Sequence, residues 1–298
     1  MENKKIKQKY FDWRLTGEEV CLLEKLYTIH SPSGNEDAMA EFVTNKLKSY
    51  GCEVWRDDIG NVYAQKGGGD TYPCVVAHLD QVQRERPSDF MVCTIKGQMF
   101  GWSPYEKQQC GLGADDKNGI FIALMCAWKC DNIKVAFFVG EEIGCVGSSQ
   151  CDLNFFKDCR FIIEPDRKGA YDLITTMGGV SVCSDDFINA IPYKYFNYNK
   201  VDGVYTDVLT LVERGVGISC INVSCGYYFP HTEQEVTNLF NLGKCRAFVF
   251  KIIQTCREVY PFEYRGRDIM PLCDYEYWNS LYDAVQEYDI DEIDNYKQ

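Results

Sequence analysis

The chain opens on two stretches whose apolar residues recur at helical spacing. Residues 17–30 (GEEVCLLEKLYTIH) place Glu18 and Glu19 in a first turn, where the helix dipole favours acids. SPSG at 31–34 breaks that helix, and 35–50 reads as a second amphipathic helix ended by Gly51. The period then shortens. Strand-like runs occupy 52–55, 61–65 and 73–77, with Gly67–Gly69 turning the chain between the last two. Residues 91–100 and their flanks read as an antiparallel excursion. The loop 113–119 leads into a helix through Cys130. Residues 133–139 are largely apolar, as expected of a central strand covered on both faces, and 161–164 are another such run. Helices over 185–190 and 206–214, a strand over 218–223 and a long helix over 234–259 follow. Strands alternating with helices predict an α/β fold, three-layer α/β/α, with a mostly parallel central mixed sheet.

From Pro261 the character changes to Tyr-rich and acidic, ending in EYDIDEIDNYKQ. A docked amphipathic helix over 275–288 with a frayed acidic end is the expectation there. No internal repeat or low-complexity linker interrupts the chain. One catalytic domain over 1–298 is expected, with its core over about 17–260 and a C-terminal extension over 261–298.

Composition narrows the function. With 298 residues, 46% of them apolar, the chain can bury one large core or two modest ones. A formal net charge of -13 argues against nucleic-acid or anionic-membrane partners, which select basic surfaces. The first residues, MENKKIKQKYFDW, lack the apolar stretch of a secretory signal. No apolar run approaches the roughly 20 residues of a membrane span, so a cytoplasmic location is expected. Of the 16 cysteines, several sit inside apolar runs (Cys74, Cys126, Cys220) and read as small buried hydrophobes. No CxxC pair appears, and reduced thiols are expected rather than disulfides.

Polar residues with chemistry gather at strand ends. His78 and Asp80 follow CVVA, Glu141 and Glu142 follow VAFFV, Asp166 follows FIIEP, and His231 comes soon after ISCINV. Asp115 and Asp116 lie in the Gly-bounded loop GLGADDKNG. Open α/β sheets build their sites at the carboxyl ends of their strands. Two imidazoles and several carboxylates suit two divalent ions, with zinc the chemical default and cobalt or manganese able to take the same donors. Such a pair polarises a carbonyl and acidifies water, and a nearby carboxylate can move the proton.

These blocks resemble the co-catalytic zinc exopeptidases, a superfamily that includes leucyl-type aminopeptidases, peptidase T and the tetrahedral aminopeptidases. The resemblance runs through SPSGNEDAMAEFV (31–43), DDIGNVYAQKGG (57–68), AHLD, GADDKNG, GEEIGCVGS, EPD and HTEQE, in family order over most of 18–258. It implies that His78 and Asp166 bind one metal, Glu142 and His231 the other, and that Asp115 bridges both. It further implies that Asp80 holds the His78 ring, that Glu141 is the general base and acid, and that the peptide bond after Asp115 is cis. The substrate implied is a peptide or amino-acid amide, cleaved as by an aminopeptidase. A dipeptidase, carboxypeptidase or N-acyl amino acid deacylase with the same core stays open, as do a non-catalytic binding module and a single-zinc glutaminyl cyclase.

The chain departs from several relatives in lacking room for a domain-sized insert, either between Asp166 and His231 or between Asp80 and Asp115. Specificity then falls to local loops: 81–105, 177–179, 201–207 and 227–229. Tyr227 or Tyr228 is a candidate donor to the oxyanion, Asp207 reads as a helix cap, and His30 as a contact at a helix C-terminus or on the surface. Oligomeric state is not legible.

Overall fold

The structure, a computed structural model, describes residues 13–266. Met1–Tyr264 and Arg265–Gln298 are separate units, and both cores and the candidate site belong to the first. The helix expected over 275–288 and most of the acidic extension lie outside the described residues.

Helices α1 (Gly17–Thr28) and α2 (Asp37–Ser49) lead into β1 (Glu53–Arg56), β2 (Val62–Lys66) and β3 (Tyr72–His78). Next come β4 (Met91–Ile95), β5 (Gln98–Ser103), β6 (Gln108–Cys110), α3 (Ala114–Lys129), β7 (Ile133–Phe138), α4 (Val146–Gln150) and β8 (Cys159–Arg167). The chain continues through β9 (Asp172–Met177), β10 (Val180–Ser181), α5 (Asp185–Ala190), β11 (Asn199–Gly203), α6 (Asp207–Glu213) and β12 (Cys220–Ser224). It closes with β13 (Tyr227–Tyr228), β14 (Val236–Asn238) and α7 (Leu239–Thr255).

The main sheet runs β1-β2-β7-β3-β8-β12-β9-β10, with β11 added beside β9. Its central four strands, β7, β3, β8 and β12, are mutually parallel, while β1, β2 and β10 pair antiparallel at the flanks. Successive β3 residues feed opposite faces. Val75 and Ala77 enter the larger core with α1, α2, α3 and α7; Cys74 and Val76 enter a second core with α6. Both faces are thus covered, which is why β3 and β7 are buried along their whole length and read as largely apolar runs. A smaller antiparallel sheet, β13-β14-β5-β4 with β6 on β5, accounts for the excursion expected around 91–100.

Local chemistry sets the ends. Thr16 and Glu19 form a reciprocal capping box at α1, with Glu19 Oε2 2.7 Å from the Thr16 N–H. The long helix expected from residue 234 begins only at Leu239. Residues 236–238 pair with β5 instead, and the Asn238 side chain caps the helix by accepting the Asn241 N–H at 3.0 Å. Strands β9 and β11 have no counterpart in the sequence reading; β11 is largely exposed and lacks an apolar alternation. No helix among the described residues is long and apolar enough to cross a membrane. The described cysteines are free thiols, mostly buried.

Candidate metal centre

The central strands deliver the polar residues to one end of the sheet. His78 is the last residue of β3, Glu141 and Glu142 follow β7, Asp166 lies at the end of β8, and His231 lies between β13 and β14. Asp115 and Asp116 sit at the start of α3, where both depart from helical geometry and the bond between them is cis.

His78 is buried and gripped from behind. Its Nδ1 lies 3.1 Å from the Asp80 carbonyl and 3.2 Å from Asp80 Oδ1. Nε2 therefore faces the site, 3.1 Å from Asp115 Oδ1 and 3.9 Å from Asp166 Oδ1. Opposite, His231 Nε2 lies 3.4 Å from Asp115 Oδ2 and 3.1 Å from Glu142 Oε2. Asp115 thus turns one carboxylate oxygen toward each imidazole. Asp80 does more than hold His78: it accepts the Ser33 hydroxyl at 2.7 Å and the N–H groups of Glu141 and Glu142 at 3.0 and 3.2 Å.

Charge is badly unbalanced if only protein is counted. Burial opposes a charged His78, yet the hydrogen bonds its ring donates to Asp115 and Asp80 outweigh it and hold the ring's pKa well above the usual imidazole value. His231 is pushed up to about 11 against the same opposition from burial, by Asp115 and Glu142. Burial, and then Asp115, drives Glu142 and Asp166 upward. Asp116 is raised by burial and Asp115 despite the pull of His78. Glu141 is raised first by burial and further by Glu142 and Asp207, again against His78.

The donor set fits divalent cations. Three groups bring ligand atoms within 4.8 Å of one another among the described residues: His78, Asp116 and Asp166; His78, Glu141 and Glu142; Asp115, Glu142 and His231. Two buried carboxylate oxygens there, Asp116 Oδ2 and Glu142 Oε1, have no hydrogen-bond partner. Buried oxygens without donors are costly unless a cation takes them up.

All seven residues singled out in the sequence (His78, Asp80, Asp115, Glu141, Glu142, Asp166 and His231) converge on this end of the sheet. Asp116 joins them, and the doublet in GADDKNG was its only signal. Asp116 Oδ1 accepts the Gly119 N–H at 2.8 Å and so caps the regular part of α3.

Other expectations change. Asp207 does not cap α6; its buried carboxylate accepts the Ser148 hydroxyl at 2.5 Å. Glu164 serves that helix instead, taking the Thr206 hydroxyl at 2.7 Å and the Val208 N–H. Tyr227 is buried with its hydroxyl 3.3 Å from Asp166 Oδ1, whereas the Tyr228 hydroxyl accepts from Asn241. His30 meets the Gln83 carbonyl at 2.7 Å rather than a helix terminus.

No family model matches the chain. Two archaeal proteins named as LysW-lysine/LysW-ornithine hydrolases are similar to part of it. The Pyrococcus furiosus protein is 34% identical over 86 residues, 29% of this chain and 25% of that one. The Pyrococcus abyssi protein is 31% identical over 127 residues, 42% of this chain and 34% of that one. The chain therefore matches well under two thirds of either relative's length. Its fold is similar to that of the aminopeptidase PepT from Bacillus cereus, with a TM-score of 0.65 at 14% identity, covering 83% of this chain and 100% of that one. The chain has the zinc-exopeptidase-like fold that its motif order implied.

Proposed function

We propose that the chain is a two-metal hydrolase that removes residues from the amino end of peptides. The reading is carried by Asp115, whose two oxygens face two imidazoles at 3.1 and 3.4 Å, as suits a carboxylate shared by a co-catalytic pair. His78, Asp115 and Asp166 would hold one ion; Asp115, Glu142 and His231 the other. Zinc fits these mixed N and O donors. When bound, such ions supply Lewis acidity, polarising the scissile carbonyl and making water easier to deprotonate.

The protein's own residues do the rest. Asp80 fixes the His78 ring and, through two N–H groups, the segment bearing Glu141 and Glu142. Glu141 takes the proton of the attacking water and returns it to the leaving nitrogen. The excess of carboxylates favours a substrate ammonium. A single catalytic domain with an acidic extension, working in the cytoplasm, belongs to the same reading.

The partial identity to the LysW-lysine/LysW-ornithine hydrolases favours one alternative, hydrolysis of an amide whose amino end is blocked. A panel of free, N-blocked and C-blocked dipeptides, assayed with zinc and again with chelator, separates the two. Cleavage of free and C-blocked substrates, abolished by chelator, is expected. Turnover confined to N-blocked substrates rejects the aminopeptidase in favour of the alternative.

A further inference from the structure

Glu235 is fully buried, yet it lies four residues beyond His231 in a loop that is otherwise exposed. Its carboxylate reaches the loop before α3. Oε2 accepts the Gly113 N–H at 2.5 Å and Oε1 accepts the Asp115 N–H at 3.1 Å. Two further contacts tie the same segments together: Glu233 Oε2 accepts the Gly111 N–H at 2.7 Å, and the Glu235 carbonyl accepts from Gln109 at 3.2 Å.

The start of α3 explains the need. Gly113 precedes the helix with φ +67 and has no side chain to cap it. Asp115 and Asp116 are non-helical, so the Gly113 and Asp115 N–H groups gain nothing from the turn that follows. A carboxylate 120 residues away in sequence takes them up instead. Accepting both N–H groups at once fixes the backbone on the approach to Asp115, and with it the direction of the Asp115 side chain. The same glutamate anchors the segment that carries His231, whose side chain is one-third exposed and whose backbone has φ +63.

We infer that Glu235, assisted by Glu233, is a positioning residue. It locks the Asp115 loop and the His231 loop in register, so that the Asp115–Glu142–His231 set is assembled before its ion arrives. The inference rests on the two-metal reading above and adds a residue to it that touches neither substrate nor ion. Carboxylates that orient metal ligands from behind typically contribute 10- to 100-fold to affinity.

The test is zinc binding to the full chain, followed by titration calorimetry, in the parent, Glu235→Gln and Glu233→Ala. Melting of the metal-free forms runs alongside. Glutamine can accept only one of the two N–H groups, so E235Q should weaken one of two zinc-binding steps by about 10- to 100-fold and leave the other unchanged. E233A, altered at an exposed side chain, should weaken the same step less, with unchanged metal-free melting. Unchanged constants for both variants overturn the inference, as does an E235Q that melts earlier but binds both ions as the parent does. Should E235Q not fold, E233A alone decides on the same criterion. A parent that binds two ions without hydrolysing any peptide refutes the proposed function and leaves the positioning role standing or falling on the binding constants.

Discussion

In the proposed mechanism Glu141 is the residue on which turnover would depend without metal affinity following. Its backbone N–H is held by Asp80, and its side chain receives a weak contact from the Cys145 thiol at 3.7 Å. Glu141→Gln keeps the shape and removes the base. It should lower kcat by about 10²- to 10⁴-fold while zinc content, read by elemental analysis, stays at the parent level. Retained turnover would take Glu141 out of the proton transfers. Of the candidate ligands, His78, Glu142 and Asp166 were legible because each stands beside an apolar run that ends where the sheet opens, whereas Asp115, in a Gly-bounded loop, and His231, in an exposed loop, were legible only through the order of the motifs. Ser33 and Glu235 were not. They act through hydrogen bonds to groups far away in the chain, and no spacing rule encodes such pairings; Asp116, whose cap on the Gly119 N–H is local, was signalled only by the acidic doublet.

At the scale of elements, α3 carries a trade-off that helix propensity alone gets wrong. Replacing a helical glycine by alanine ordinarily stabilises by about 0.4–1 kcal/mol. At Gly119 the added Cβ would lie 2.2 Å from Asp116 Oδ2 and 2.4 Å from Oδ1, against a fully buried side chain with nowhere to retreat. Gly119→Ala should therefore destabilise by about 1–3 kcal/mol in urea melts and also weaken zinc binding. A more stable variant would mean that Asp116 is free to move. Helix α6 offers a pH test. Burial raises the Asp207 pKa to about 6, so the folded state holds a proton that the unfolded chain has released. Stability from this group is present below pH about 4 and lost as pH rises through about 6. The stability of Asp207→Asn relative to the parent should grow by up to about 3 kcal/mol across that window and then level off. A difference independent of pH would show that the ionised carboxylate is fully compensated. The buried strands β3, β7, β8 and β12 were readable as apolar runs. Strands β9 and β11 were not: β11 lies at the margin of the sheet, largely exposed and without an apolar alternation, and β9 (DLITTM) mixes polar and apolar residues although it is paired on both sides.

For the whole molecule, the alternation of helices and strands was enough to foresee three layers and a site at one end of the sheet. It could not foresee that β14 would tie the small sheet to the main core. A buried cluster makes that link: the Tyr27 hydroxyl meets Asn118 Oδ1 at 2.5 Å and Thr237 at 2.7 Å, while Asn118 donates to the Cys225 carbonyl. These residues come from α1, α3, β14 and the loop after β12, and nothing in their spacing announces the meeting. The two imidazoles that face Asp115 carry a consequence for the molecule in solution. Without cations both are drawn into the protonated form, His231 with a pKa of about 11. Filling the site must then expel protons into the medium. Loading at neutral pH should acidify a weakly buffered sample, and its observed heat should change with the ionisation enthalpy of the buffer. In the two-metal reading uptake should strengthen as pH rises, so the protein would compete for zinc best where hydrogen ions are scarce.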